Sequence, residues 1–73
     1  MNVYRITGVF RGGGIRQTVW SYAKGALCYY EDLAHAKRGL SGLKGNNRDY
    51  KDLRIEIPVS NPDYLITWEP ISV

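Results

Sequence analysis

One stretch of this 73-residue chain has helical periodicity: Leu33, Ala36, Leu40 and Leu43 recur at intervals of three and four residues and define a single apolar stripe. A helix this short is marginal in water by itself, so its stripe must dock on a surface made by the rest of the chain. Asp32 is the expected N-cap, because its carboxylate can accept from a free backbone N–H of the first turn. Gly39 and Gly42 each weaken a helix by about 1 kcal/mol relative to Ala, so the last turn is expected to fray or end early, by Gly45 at the latest.

The docking surface is expected from the flanking segments, which alternate with the period of a half-buried strand. Val3 to Phe10 is rich in β-branched and aromatic residues and puts Tyr4, Ile6 and Phe10 on one face and Val3, Arg5, Thr7 and Val9 on the other. Gly12-Gly13-Gly14 permits the positive φ of a tight reversal. Ile15 to Tyr22 then reads as the returning strand, with Trp20, Tyr22, Thr18 and Arg16 on one face and Ile15, Val19, Gln17 and Ser21 on the other. After a break at Lys24-Gly25, residues Leu27-Cys28-Tyr29-Tyr30 read as a short strand before the helix. Beyond a Gly45-Asn46-Asn47 loop, Leu53, Ile55 and Ile57 alternate with Arg54 and Glu56, and Pro58 is expected to end that strand or mark an edge. Ser60-Asn61-Pro62-Asp63 is a strong turn signal, and Tyr64, Ile66 and Trp68 alternate with Leu65, Thr67 and Glu69 in a last strand stopped by Pro70. The order is hairpin, helix, hairpin. A small antiparallel sheet with one helix packed on one face buries all these apolar faces, an α+β fold in a single domain over residues 1–73.

Composition agrees with a folded domain. Apolar residues are 44% and charged residues 23%, far from the depleted, highly charged composition of disordered chains. A chain of this size buries only about 60% of its unfolded surface, so modest stability is expected. The single Cys28 cannot form an intramolecular disulfide, which points to a reducing cytoplasm, and its expected role is a small core residue; a reactive thiol would need a neighbour that lowers its pKa. No apolar run approaches a membrane span, and Met1-Asn2-Val3-Tyr4-Arg5 has no apolar signal core.

Catalytic signatures are scarce. With one His, one Cys and no ligand cluster at metal spacing, neither a metal site nor any other cofactor is expected. His35 on a helix flank reads as solvated, and Glu31-Asp32 reads as helix capping rather than an acid–base pair. Arg11-Gly12-Gly13-Gly14 lacks the lysine and hydroxyl residue of a phosphate loop, so it reads as a flexible hairpin tip rather than an anion cradle. The chain is expected not to be an enzyme.

Charge and aromatic content point to binding. The net charge of +3 is unevenly spread: Arg5, Arg11, Arg16 and Lys24 face no acid within the first 30 residues, whereas the final third is acidic. Six tyrosines and two tryptophans lie in the chain, several beside basic residues. Trp68, Tyr4 and Phe10 are expected in the core, while Trp20, Tyr22, Tyr29 and Tyr30 exceed what so small a core can hold. Such residues suit protein-interface anchors, base stacking on nucleic acid, or an edge strand that receives a partner segment. The expected contact lies on the first hairpin, with Arg11, Arg16 and Lys24 steering and Trp20, Tyr22 and Tyr30 anchoring.

The runs Asn2-Val3-Tyr4-Arg5-Ile6, Lys24-Gly25 with Tyr29-Tyr30 and Leu33-Ala34-His35-Ala36-Lys37, and Tyr50-Lys51-Asp52-Leu53-Arg54-Ile55-Glu56 resemble small phage-encoded proteins in which a Tyr-rich hairpin precedes a short helix and an Ile/Glu-rich strand. In size and general character the chain resembles the small host-takeover transcription regulators of lytic phages, of the Xanthomonas phage type. That resemblance implies binding to the large subunits of host bacterial RNA polymerase, displacement of sigma and relief of termination, in the host cytoplasm. It carries over no binding residue. Direct nucleic-acid binding by the same hairpin surface and inhibition of a host defence protein are the alternatives, and the chain is expected to be monomeric.

Overall fold

The computed structural model describes residues 3–46, 48–60 and 66–72. The elements are β1 (Tyr4–Phe10), β2 (Gln17–Thr18), β3 (Trp20–Ser21), β4 (Ala26–Leu27), β5 (Tyr29–Tyr30), α1 (Leu33–Asn46), β6 (Tyr50–Ser60) and β7 (Ile66–Ile71). Together they form the expected α+β architecture, one helix on one face of an antiparallel sheet ordered β2-β1-β6-β7, with a second small sheet of β3 and β4.

The centre of the sheet is β1. One edge pairs with β6 from Arg5↔Glu56 to Phe10↔Tyr50. The other edge is shared: β5 covers its first half through Tyr4↔Tyr30 and Arg5↔Tyr29, and β2 covers its second half through Thr7↔Thr18 and Gly8↔Gln17. Between them, three backbone hydrogen bonds close a ring: Val19 N–H donates to the Ile6 carbonyl (3.0 Å), Ile6 N–H to Cys28 (3.0 Å) and Cys28 N–H to Val19 (2.9 Å). All three residues are fully buried. Because Val19 and Cys28 spend their backbone groups on each other and on Ile6, the chain between them leaves the main sheet as the β3–β4 arm. The returning strand expected over Ile15 to Tyr22 therefore pairs with β1 only at Gln17–Thr18, and the strand expected over 27–30 divides at Cys28.

A bulge marks the β1–β6 ladder. The register steps from Thr7↔Arg54 to Val9↔Lys51, so β6 carries one residue more than β1 across this interval. Asp52 takes the left-handed conformation at φ 54°, a region that Asp tolerates better than most residues. Gly8 lies opposite. A Cβ there would meet Leu53 Cδ2 at 2.9 Å, Tyr50 Cβ at 3.1 Å and the Lys51 carbonyl at 3.2 Å.

Helix α1 starts as expected, with Ala34 N–H donating to Asp32 Oδ1 at 2.9 Å and Ala36 N–H to the Asp32 carbonyl at 3.0 Å. It runs through Gly39 and Gly42 to Asn46, one residue past the expected limit, because tertiary packing outweighs the glycine penalty. Ala36 and Leu40 are buried against Ile6 and Ile55, with Leu33 and Leu43 packed around them.

Several expectations change. Ile15, placed with Val19 on one face, is 84% exposed because the chain has not yet joined the sheet there. Phe10 is exposed, not core; it stacks at 4.7 Å on Tyr50, and Tyr50 takes the buried position. Tyr4 and Trp68 are half-buried rather than fully enclosed. Pro70 lies within β7, opposite Glu56, where β7 is the outer strand of the sheet. Pro58 also lies inside its strand, beyond the last residue that pairs with β1, so it marks an edge. The expected turn over 60–63 and the strand start at Tyr64 and Leu65 lie, apart from Ser60, outside the described residues.

The glycine opposite the bulge gives a direct test. Gly8→Ala is expected to lower unfolding stability by about 1–3 kcal/mol, since backbone and Cβ atoms must both give way. Gly12→Ala, with nothing within 4 Å of its Cβ, is the matched control. Urea denaturation of both variants measures the difference.

Candidate functional site

The β3–β4 arm leans to the helix side of the sheet and roofs a cavity of about 640 Å³ between itself, the later turns of α1 and the start of β6. Ser21 and Gly25 close the arm: Gly25 N–H donates to the Ser21 carbonyl at 2.8 Å, Lys24 N–H to Ser21 Oγ at 3.1 Å, and Gly25 takes a φ of 70°. That tight closure leaves Tyr22 at the tip, 84% exposed, and Trp20 45% exposed beside it.

The cavity brings together four of the six residues expected to bind: Trp20, Tyr22, Lys24 and Tyr30. Tyr30 lines it, packed against the helix where Gly39 has no side chain; a Cβ at Gly39 would overlap the Tyr30 hydroxyl. Lys24 reaches back across the arm, with Nζ 4.0 Å from the Tyr30 ring centroid and donating to the Tyr29 carbonyl at 2.6 Å. Its charge thus braces the arm as well as facing solvent.

The other two expected residues lie elsewhere. Arg11 is exposed and borders a separate depression with Lys44, Tyr50 and Lys51. Arg16 turns to the opposite face of the sheet, where its Nη1 donates to Thr7 Oγ1 at 3.0 Å and to the Asp52 carbonyl at 2.7 Å. The basic trio Arg11, Arg16 and Lys24 is therefore not one surface, because the ring at Ile6 sends the arm one way and the strand before it the other.

Sequence reasoning missed Gly39 and Gly42 as cavity walls. Paired glycines inside an otherwise helical pattern are a signal of close approach, and that signal was available. It also missed Arg48, Asp49 and Tyr50, which contribute to the wall only because β6 begins there.

Under the arm, two neighbouring groups, the Tyr30 hydroxyl and the Cys28 thiol, are shifted towards their neutral forms. Burial pushes the Tyr30 hydroxyl up to about 12, reinforced by the neighbouring Cys28 and their hydrogen bond. Burial also pushes the Cys28 thiol up, against smaller lowering effects of Tyr30 and Lys24, which suits the core role expected for it. His35 is exposed, with Nδ1 3.5 Å from Asp32 Oδ2 in the first helical turn.

The helix-free face of the sheet carries a second constellation. Glu56 is buried between two arginines: Arg5 Nε and Nη2 lie 2.9 and 2.8 Å from Oε1, and Arg54 Nε and Nη2 both lie 2.7 Å from Oε2. Burial alone would raise the Glu56 carboxyl, but the hydrogen bonds from Arg54 and Arg5 and their charges outweigh it and hold the carboxyl below its ordinary value. The Arg5 guanidinium also stacks 4.1 Å over the Trp68 ring, which in turn sits 6.4 Å from Tyr29.

No family model, curated protein sequence or solved structure matches the chain. Among the described residues, no helix is long and apolar enough to cross a membrane.

Glu56→Gln is expected to cost about 1.5–3 kcal/mol, because it replaces charge-assisted hydrogen bonds to two partly exposed arginines with neutral ones. The depressed carboxyl sets the sign of the pH dependence. Its stabilisation is complete above the unfolded Glu value of about 4.3 and is lost as pH falls through the lower native value. Urea titrations at pH 7 and at stepwise lower pH should show an acid limb in the parent that is flatter in the variant.

Proposed function

We propose that the chain is a binding protein that docks on the large subunits of bacterial RNA polymerase and excludes sigma, with relief of termination as a further consequence of the same occupancy. The observation that carries the binding role is the arm itself: a tightly closed hairpin holds Trp20 and Tyr22 at the surface, at the mouth of an apolar cavity. Aromatic side chains anchored beside a pocket are the usual centres of protein interfaces. The choice of polymerase as partner is supported by the resemblance to phage transcription regulators, and host cytoplasm follows as the place of action.

No covalent chemistry is needed for such an effect. A small domain that occupies a surface required by another factor shifts the equilibrium by mass action. Lys24 keeps its charge while tied to the neutral Tyr29 carbonyl and Tyr30 ring, so the proposed steering charges are Lys24 and, beside the separate depression, Arg11 with its neighbours Lys44 and Lys51.

The test uses purified bacterial RNA polymerase core enzyme immobilised on a sensor, with and without sigma. Core enzyme is expected to bind the chain, and added chain to lower sigma occupancy. Trp20→Ala combined with Tyr22→Ala is expected to weaken binding at least about 30-fold, the loss of one strong interface anchor. Arg11→Glu is expected to slow association while leaving dissociation nearly unchanged. Absence of binding to core enzyme at low salt would falsify the proposal.

A further inference from the structure

The arm and the cavity beneath it leave the opposite side of the molecule unused. On that face Arg5 and Thr7 of β1 stand across from Glu56 and Arg54 of β6, and Tyr29 of β5 stands across from Arg5. Arg16 reaches the same place, since its Nη1 is bonded to Thr7, the residue in register with Arg54. Two guanidiniums thus hold one buried carboxylate and a third, that of Arg16, lies on the same face beside Thr7, leaving an excess of positive charge. Glu69 does not offset it: β7 alternates, so Glu69 falls on the helix side with Ile71, while Trp68 and Pro70 fall on the arginine side. Asp52 gives Arg16 its carbonyl oxygen, and its carboxylate makes no ion pair among the described residues; counted with Glu56, it still leaves Arg5, Arg16 and Arg54 in excess.

The arginines are not equivalent. Arg5 is committed to Glu56, to the Trp68 ring and, at 3.5 Å, to Thr18 Oγ1. Arg54 uses only Nε and Nη2 on Glu56, and Arg16 uses only Nη1, so both keep guanidinium N–H groups without a described protein partner. Their stems are fixed, which removes much of the entropy lost when a guanidinium grips an anion. Beside them, the exposed Tyr29 ring lies next to Trp68, which Arg5 braces from one side.

We propose that this helix-free face binds single-stranded nucleic acid, with Arg16 and Arg54 on successive phosphates and Tyr29 stacked under a base. Charge excess alone would equally suit an acidic peptide; the aromatic platform among the arginines favours bases, whose flat faces stack on such rings. The flatness of an uncovered sheet favours a single strand, since in a duplex the base faces are already stacked on one another. This surface is separate from the arm, so its occupancy does not depend on the polymerase reading.

The probes are fluorescein-labelled oligo(U) and oligo(dT), a mixed-sequence duplex of equal length, and a polyglutamate peptide, each titrated with the full chain by anisotropy. Both single strands are expected to bind more tightly than the duplex and the peptide. Two neutralised phosphates give a slope of log affinity on log salt of about −1.4, roughly a sevenfold loss between about 50 and 200 mM salt. Arg16→Gln is expected to reduce the slope by about 0.7. Tyr29→Ser is expected to weaken binding about tenfold and Tyr29→Phe to restore it, while Tyr22→Ser on the arm leaves it unchanged. Circular dichroism of each variant checks that the fold is kept, and Arg16 and Tyr29 are chosen because neither holds Glu56. A preference for oligo(U) over oligo(dT) would assign the strand as RNA, and equal binding would assign backbone and stacking contacts common to both. The proposal is overturned by no single-strand binding at low salt, by polyglutamate or duplex binding as tightly as the strands, or by full affinity in both Arg16→Gln and Tyr29→Ser.

Discussion

The closed ring of backbone hydrogen bonds among Ile6, Val19 and Cys28 governs the shape of everything around it. Each residue gives one N–H and one carbonyl to it, so three buried peptide groups satisfy one another where water does not reach. A returning strand that ran straight past Ile6 would have satisfied the same groups with a plain hairpin. By dividing the edge of β1 between β2 and β5, the chain instead frees residues 20–27 to stand away from the sheet. The arm, the cavity beneath it and the separation of the two faces all follow from that division.

The same geometry sorts the charges. Residues on β1 and β6 that point away from the helix meet no second layer, and Glu56 is nevertheless buried because Arg5 and Arg54 close over it. A buried carboxylate with hydrogen-bonding partners on both oxygens costs far less than an unpaired one. Arg5 then links this cluster to Trp68 and so to the outer strand, while Arg16 ties Thr7 of β1 to the bulge at Asp52. Polar contacts here hold together parts of the sheet that the small apolar core on the other face does not reach.

Glycines divide into those with steric duties and those without. Gly8 clears the bulge and Gly39 seats Tyr30, and both make contacts that a methyl group would obstruct. Gly42 also borders the cavity, although its own Cβ position is open. Helix α1 therefore serves as more than a lid on the core. Its stripe of Leu33, Ala36, Leu40 and Leu43 docks it, and the glycine side turned towards the arm shapes the groove.

Local pattern was enough to determine the strands at 4–10 and in the 50s, the helix with its Asp32 cap, the role of Cys28 and the surplus of surface aromatics. These depend on periodicity and on contacts a few residues apart, such as the Asp32 carboxylate and the Ala34 N–H. Only the tertiary structure decided that Arg16 leaves Arg11 and Lys24 behind, that Tyr50 rather than Phe10 is enclosed, and that Arg5, Arg54 and Glu56 form one cluster. Those outcomes depend on contacts across as many as 51 positions of sequence, on a one-residue bulge that shifts register, and on a ring closed by backbone peptide groups. A pattern of side chains carries no record of which backbone groups will find one another.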